Sequence, residues 1–228
     1  MLDQNLIQIA GIIDAGEAQM LQQCGVRYLG FPLRLPVHRE DLTEQEAAAI
    51  IKVLTPPVFG VAITYLNQAT EIAAFCHALG ARIVQLHGDI ERDELKRLKT
   101  LDPNLTVLKS LVIGMREQKA LEATLRELSP FVDGFITDTF DPETGASGAT
   151  GKTHDWRVSR RLVELADRPI ILAGGLTPEN VKSAILEVGP AGVDSHTGVE
   201  DSTGRKSREK VQKFVSEANE AFDLVDRR

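Results

Sequence analysis

The chain has 228 residues, of which 43% are hydrophobic and 26% are charged, an ordinary balance for a globular protein. Its 33 acidic and 26 basic side chains give a net charge of −7, which argues against broad binding to nucleic acids or membranes, because such proteins carry a basic surface. The absence of a long apolar run, of a secretion signal and of metal-ligand spacing at Cys24 and Cys76 predicts a cytoplasmic protein that holds no metal.

Short apolar runs alternate along the chain with longer segments of helical periodicity. The predicted strands are, in chain order, Leu6–Ala10, Tyr28–Phe31, Val58–Ile63, Ile83–Leu86, Thr106–Leu111, Gly134–Thr137, Pro169–Ala173 and Gly192–Asp194. The predicted helices are Asp14–Cys24, one that opens with the capping box Thr43–Glu46, Asn67–Leu79, Glu91–Leu98, Arg116–Leu128, Trp156–Leu165, one that begins at Thr177-Pro178, and Ser207–Phe222.

Apolar strands that are each followed by a helix indicate a parallel sheet covered by helices. Eight such units without a composition break favour a single α/β domain over residues 1–228, folded as a closed (β/α)₈ TIM barrel. A doubly wound open sheet is the structural alternative.

Glycine-rich turns follow the last two predicted strands, at Gly174-Gly175 and in the loop Ser195-His196-Thr197-Gly198. In a barrel the functional residues lie at the C-terminal ends of the strands and in the loops beyond them. Backbone N–H groups at such turns favour an anion. The sequence therefore predicts a phosphorylated small-molecule ligand, and the alternative is that these glycines only form tight turns.

Two other predicted strands end in polar side chains. Asp138 follows the apolar sixth strand on the same face as Ile136, so its carboxyl group is a candidate general acid or base, or a cap for the next turn. His87 shares a face with Gln85 after the fourth strand. It is either a structural histidine or a ligand contact.

Residues 146–153, ASGATGKT, are similar to a phosphate-binding P-loop whose first glycine is replaced by alanine. A P-loop requires a strand directly before it and a helix directly after it. The predicted strand ends earlier, at Thr137, so the sequence favours a glycine-rich loop that covers a ligand.

Taken together, these motifs resemble the phosphoribosylanthranilate isomerase family. The matching pieces span nearly the whole chain and are Gly30-Phe31, VQLHG at Val84–Gly88, Thr137-Asp138, the GKTxDW segment that ends at Trp156, ILAGGLxPENV at Ile171–Val181, Gly192–Asp194 and GVE at Gly198–Glu200. The resemblance implies a TIM barrel without a cofactor that catalyses an Amadori rearrangement in tryptophan biosynthesis. In that reaction a general acid protonates the ring oxygen of N-(5′-phosphoribosyl)anthranilate, and a general base removes the proton from C2.

The resemblance also implies roles for particular residues. Asp138 would be the general acid, Asp194 would contact the anthranilate end, and Arg39 would lie near the substrate carboxylate. Contacts with the substrate are further implied for Gln85 and His87. The phosphate would be held by Gly174, Gly175, Ser195, His196, Thr197 and Gly198. The protein would be a monomer or a homodimer.

The first strand departs from the family at a catalytic position. The family carries a cysteine general base there, whereas this chain has Ala10, which has no titratable group. General-base catalysis accelerates a reaction by ~10²–10⁴. The loop with His196 also departs from the family's Val-Ser-Ser, and this imidazole would contact the ligand or replace the base.

Three functional hypotheses follow from these departures. The first is an isomerase of phosphoribosylanthranilate, or of a close relative, in which the base is relocated or the normal base has been lost, by engineering or in the natural sequence. The second is a non-catalytic barrel that binds a phosphorylated ligand, and the third is an isomerase or epimerase of another sugar phosphate.

Overall fold

The computed structural model describes residues 2–36, 40–140 and 151–227. Its strands are β1 (Leu6–Ala10), β2 (Tyr28–Pro32), β3 (Phe59–Thr64), β4 (Ile83–Leu86), β5 (Thr106–Ile113), β6 (Gly134–Thr139), β7 (Ile170–Leu172) and β8 (Gly192–Ser195). Its helices are α1 (Ala15–Gln23), α2 (Glu44–Ile51), α3 (Ala69–Leu79), α4 (Arg92–Leu101), α5 (Gln118–Leu128), α6 (Trp156–Leu165), α7 (Val181–Val188) and α8 (Arg208–Asp226).

The eight strands are parallel and form a closed barrel in chain order, with β8 paired to β1. The predicted TIM barrel is therefore confirmed, and the open-sheet alternative is wrong. The sequence pattern explains the parallel strands, because each apolar strand is followed by a helix that brings the chain back to start the next one.

Side-chain caps fix the starts of several helices. The Asp14 carboxylate accepts a hydrogen bond from the Glu17 N–H at the start of α1. Thr43 and Glu46 form the predicted reciprocal capping box at the start of α2. Such caps satisfy backbone N–H groups that have no partner inside the helix.

Several predicted boundaries differ from the observed ones by a few residues, and the start of α7 is one of them: the helix begins at Val181 and not at Thr177-Pro178. The Thr177 hydroxyl accepts the Glu179 N–H and its carbonyl accepts the Val181 N–H, so this segment forms a capped turn ahead of the helix. The Asn180 side chain accepts the Thr177 N–H at 2.8 Å and donates to the Gly175 carbonyl at 3.0 Å. These side-chain bonds compete with helical backbone bonds and tie the turn to the loop after β7.

Alternate side chains of each strand point into the barrel or toward the helices. The layer between strands and helices is the larger apolar core, with Ile9, Phe31 and Phe135 fully buried in it. A second cluster fills the barrel interior and consists of Leu6, Ala10, Tyr28, Val61, Ile63, Ile83, Leu108, Ile136, Ile171 and Ala173. Asp138 lies two residues beyond Ile136, so the same alternation directs it into the barrel rather than toward the helices.

Two features of the described residues bear on other classes of function. Within residues 2–36, 40–140 and 151–227, no helix has the length and apolar character needed to cross a membrane. The same residues contain no group of three or more His, Cys, Asp or Glu side chains placed to hold a metal ion. Cys24 follows α1 and Cys76 lies within α3, and both are free thiols, as their positions in the sequence predict.

Candidate active site

A polar layer lies inside the barrel above its apolar interior. The Gln8 side-chain amide on β1 donates a hydrogen bond to the Gln85 Oε1 atom on β4 at 3.0 Å, across the barrel. The pairing of β1 with β8 places Gln8 beside Asp194. Among the described residues, the Gln8 Oε1 and Asp194 Oδ1 atoms are buried without a hydrogen-bond partner. Both oxygens can therefore accept hydrogen bonds from a ligand in the barrel.

Asp138 and His87 meet at the C-terminal ends of β6 and β4. The Asp138 Oδ2 atom lies 3.8 Å from the His87 Nδ1 atom, and this nitrogen lies 3.1 Å from the Ser110 hydroxyl. The Tyr65 ring packs against the imidazole with 4.8 Å between ring centroids. Asp138 also accepts the N–H of Thr139 at 2.8 Å. The structure thus brings the predicted general acid to a buried, hydrogen-bonded histidine.

Burial controls the charge of the two carboxyl groups inside the barrel. Burial raises the pKa of Asp138, although the neighbouring His87 and the Thr139 N–H act in the opposite direction. Burial, followed by the charge of Asp138, raises the pKa of Asp194 to about 7, and Gln8 and Lys206 only partly offset this. Two carboxyl groups that are buried close together do not both ionise easily. A carboxyl group that keeps its proton near neutral pH is suited to general-acid catalysis.

The loops after β6, β7 and β8 pack against one another through glycines. A methyl group on Gly175, whose φ is +63°, would lie 2.5 Å from the Lys152 carbonyl carbon, and one on Gly198 would lie 1.9 Å from the Leu176 carbonyl oxygen. The Ser195 hydroxyl donates to this same Leu176 oxygen at 2.8 Å. These contacts bring the predicted phosphate-binding glycines of two loops together, and the Ser195 hydroxyl joins the loops.

His154 is a site-adjacent residue that the sequence did not single out. Its Nδ1 atom lies 2.9 Å from the Thr139 hydroxyl and its Nε2 atom lies 2.6 Å from the Ser159 hydroxyl. Burial lowers the pKa of His154 to about 4, so the ring is neutral at pH 7. It connects the end of β6 with α6 beneath Gly174, where a methyl group would lie 3.1 Å from its Nδ1 atom. The contact is tertiary, and no local sequence signal marks it.

His196 lies over the end of β1. A methyl group on Gly11, the residue after Ala10, would lie 2.1 Å from the His196 Nε2 atom, so the imidazole occupies the space that a side chain would fill. The Nε2 atom is 3.6 Å from the Glu200 Oε1 atom, which also accepts a hydrogen bond from the Lys206 ammonium group at 2.6 Å. The sequence did not predict that this histidine and Ala10 would be neighbours.

Some predicted features lie outside the described residues. These are Arg39 and most of the glycine-rich loop, residues 141–150. The described residues after Lys152 bear on the P-loop hypothesis, because residues 151–155 are not helical and α6 begins at Trp156. Lys152 therefore has no helix directly after it, which a P-loop requires.

Comparison with known proteins identifies the family. Residues 9–217 match the family model for N-(5′-phosphoribosyl)anthranilate (PRA) isomerase. The chain belongs to the PRA isomerase family. The isomerase named N-(5′-phosphoribosyl)anthranilate isomerase 2 of Methanosarcina mazei is 37% identical to it over 224 residues, which cover 96% of both chains.

Solved structures of PRA isomerases share the fold. A structure of the Thermotoga maritima isomerase has a TM-score of 0.80 and 27% identity, and the match covers 95% of this chain and 99% of that one. A second structure describes mutually generated monomers of the dimeric T. maritima isomerase, with a TM-score of 0.78, 25% identity and the same coverage. The resemblance inferred from the motifs is thus confirmed for fold and family.

Proposed function

We propose that this chain isomerises N-(5′-phosphoribosyl)anthranilate to the corresponding 1-deoxyribulose phosphate, the aldose–ketose rearrangement that gives the family its name. The observation that carries the proposal is the position of Asp138. Its carboxyl group lies at the mouth of the barrel with a raised pKa, next to the loops whose glycines pack together after β7 and β8. This arrangement supplies a proton donor beside a site for a phosphorylated sugar.

The reaction uses one proton donor and one proton acceptor. Asp138 donates its proton to the ring oxygen as the C1–O bond breaks, which leaves an iminium group between C1 and the anthranilate nitrogen. A base removes the C2 proton, and the released electron pair forms the C1–C2 double bond of an enolamine. This intermediate becomes the ketone when C1 gains a proton and the 2-hydroxyl group loses one. Atoms and electrons balance without a further reactant, and Asp138 recovers its proton through solvent.

The remaining polar groups would bind and orient the substrate. The phosphate would lie between Gly174-Gly175 and the loop Ser195–Gly198, which the packing of these loops supports. The open acceptor Asp194 Oδ1 suits the N–H group at the anthranilate end. Gln85 and His87 would contact the ribose, and Arg39 would pair with the carboxylate of the anthranilate ring.

One observation favours a second candidate, a barrel that binds a phosphorylated ligand without catalysis. Ala10 faces the barrel interior and is 4% exposed, and its methyl group cannot accept a proton. If no other group accepts the C2 proton, the site would bind substrate and release it unchanged.

An assay of the purified full chain separates these candidates. We expect the fluorescence of phosphoribosylanthranilate to fall with enzymatic turnover, and a reduced analogue of the product to bind in a calorimeter. Tyr28→Phe, at the opposite end of the barrel, is the matched control and should behave as the wild type. Analogue binding without turnover would establish the non-catalytic barrel. If the folded chain neither binds the analogue nor turns over substrate, the substrate assignment is wrong.

The proposal extends to assembly and location. We propose a cytoplasmic monomer or homodimer, with the dimeric T. maritima isomerase as precedent. Sedimentation equilibrium of the chain, whose monomer mass is 25.0 kDa, measures its oligomeric state. A stable higher oligomer would contradict this part of the proposal.

A further inference from the structure

We propose that His196 is the catalytic base that removes the C2 proton of the substrate. The inference rests on the proposed isomerisation, which needs a proton acceptor on one side of C1 and a proton donor on the other. The ring oxygen and C2 are both bonded to C1, on opposite sides of it. The two catalytic groups must therefore approach from different parts of the barrel mouth.

The groups around Asp138 do not meet this requirement. His87 lies 3.8 Å from the Asp138 carboxylate and bonds to Ser110, so it approaches the substrate from the same side as the general acid. Asp194 lies in the polar layer beside Gln8, and burial, followed by the charge of Asp138, raises its pKa and favours its protonated form.

His196 is placed on the other side of the site. It follows β8, and two strand spacings of about 4.8 Å each separate β8 from β6, which carries Asp138. The imidazole contacts Gly11 at the end of β1, and its side chain is 25% exposed, so a ligand in the mouth can reach it.

An ion pair lies beside the imidazole. The Glu200 Oε1 atom lies 3.6 Å from His196 Nε2 and accepts a hydrogen bond from Lys206, whose side chain is 0% exposed. The Lys206 backbone N–H donates to the Glu17 carboxylate on α1 at 2.8 Å, which fixes the loop. The Glu200 carboxylate is close enough to Nε2 to attract a protonated imidazole electrostatically. The same carboxylate stabilises the imidazolium that forms after proton transfer.

The first test replaces the imidazole. In His196→Gln and His196→Asn, kcat should fall by ~10²–10⁴, while the affinity for the reduced product analogue stays within about threefold of the wild type. Because proton removal then limits the rate, the isotope effect on kcat with C2-deuterated substrate should increase. Thermal unfolding and analogue binding show whether each variant is folded. Two variants are used because the Gln and Asn side chains differ in length, and both should lose kcat if the imidazole is the base.

The second test supplies a different base at the end of β1. Adding Ala10→Cys to the His196→Gln variant should raise its kcat at least tenfold. The increase should be largest near pH 8.5, where a thiol ionises. Ala10→Ser in the same background is the matched control, because its hydroxyl group has a similar size but does not ionise. It should restore nothing.

The alternatives give different results. If His196 only binds phosphate, His196→Gln raises KM and weakens analogue binding, and Ala10→Cys restores nothing, which overturns the proposal. If His196→Gln keeps the wild-type kcat, another group is the base and the isomerase function stands. If the wild type binds the analogue without turnover, both the isomerase function and the role of His196 are wrong.

Discussion

The two ends of the barrel interior are built on the same eight strands but from different side chains. At the N-terminal end of the strands the interior is apolar, with Leu6, Tyr28 and Leu108 at most 2% exposed. At the C-terminal end it is polar, and Asp138 and Asp194 lie in a space that raises the pKa of both. The first end gains free energy from burial, whereas the second buries groups that water would solvate better. This difference teaches that one strand can stabilise the fold at its N-terminal end and supply catalytic side chains at its C-terminal end.

The sharpest way to test this division is Asp138→Asn. The amide keeps the shape of the carboxyl group but cannot donate the acidic proton, so kcat should fall by ~10²–10⁴. The free energy of unfolding should not fall, because the raised pKa shows that the folded state disfavours the charged carboxylate. Steady-state kinetics and urea unfolding measure the two effects.

Asp223→Asn is the matched control for this change, because Asp223 is an exposed carboxylate on α8. It should leave both kcat and stability unchanged. If Asp138→Asn kept full activity, the assignment of the general acid would be wrong. A large loss of stability in that variant would show that the polar end also stabilises the fold.

The opposite result is expected for Leu108→Ala at the apolar end. Leu108 is 0% exposed inside the barrel, so truncation leaves a cavity and should lower the free energy of unfolding by ~2–5 kcal/mol. The folded fraction should keep the wild-type kcat. Val53→Ala, at a side chain that is 74% exposed, is the control and should change stability by less than ~0.5 kcal/mol. A loss of kcat in folded Leu108→Ala would show that the two ends are coupled.

Asp194 should make the polar end sensitive to pH. Its pKa is about 7 in the folded state, whereas an unfolded aspartate titrates near 3.9, so the folded state holds the proton more tightly. The stabilisation from this group is complete below about pH 4 and is lost as the pH rises through 7. Relative to wild type, Asp194→Asn should therefore gain up to ~4 kcal/mol of unfolding free energy between pH 4 and 8.

The measurement is urea unfolding of both proteins at several pH values. The difference between the two proteins reports the titration of Asp194 together with its coupling to Asp138, whose charge contributes to the raised pKa of Asp194. A difference in unfolding free energy that does not change with pH would show that Asp194 ionises normally in the fold.

The fold could be predicted from sequence because its signals are local. Apolar runs with turn residues on either side gave the observed bounds of β4 and α6, Ile83–Leu86 and Trp156–Leu165. The predicted start of α7 was wrong because the Asn180 side chain forms hydrogen bonds with backbone groups of the preceding turn. Helical periodicity does not reveal such bonds.

The site could be predicted only where one strand determines it. Strand alternation put Asp138 on the same face as Ile136, and the structure shows that this face lines the barrel interior. The contact of His154 with Thr139 and the ion pair beside His196 join residues from different elements or from a folded loop. Such contacts depend on how the closed barrel brings loops together, and a single sequence carries no periodic signal for them.

The smallest expected effect concerns the Tyr28 hydroxyl, a polar group at the apolar end of the barrel interior. Its ring is buried against Phe59 with 5.5 Å between ring centroids, and its hydroxyl oxygen accepts the Asp3 N–H at 3.3 Å. Burial raises the pKa of Tyr28 to about 12, so it stays neutral at working pH. Tyr28→Phe keeps the ring packing and loses one hydrogen bond, which should lower the free energy of unfolding by ~0.5–1.5 kcal/mol with kcat unchanged. Chemical denaturation combined with the isomerase assay tests this, and a change in kcat would mean that the apolar end helps to position the catalytic groups.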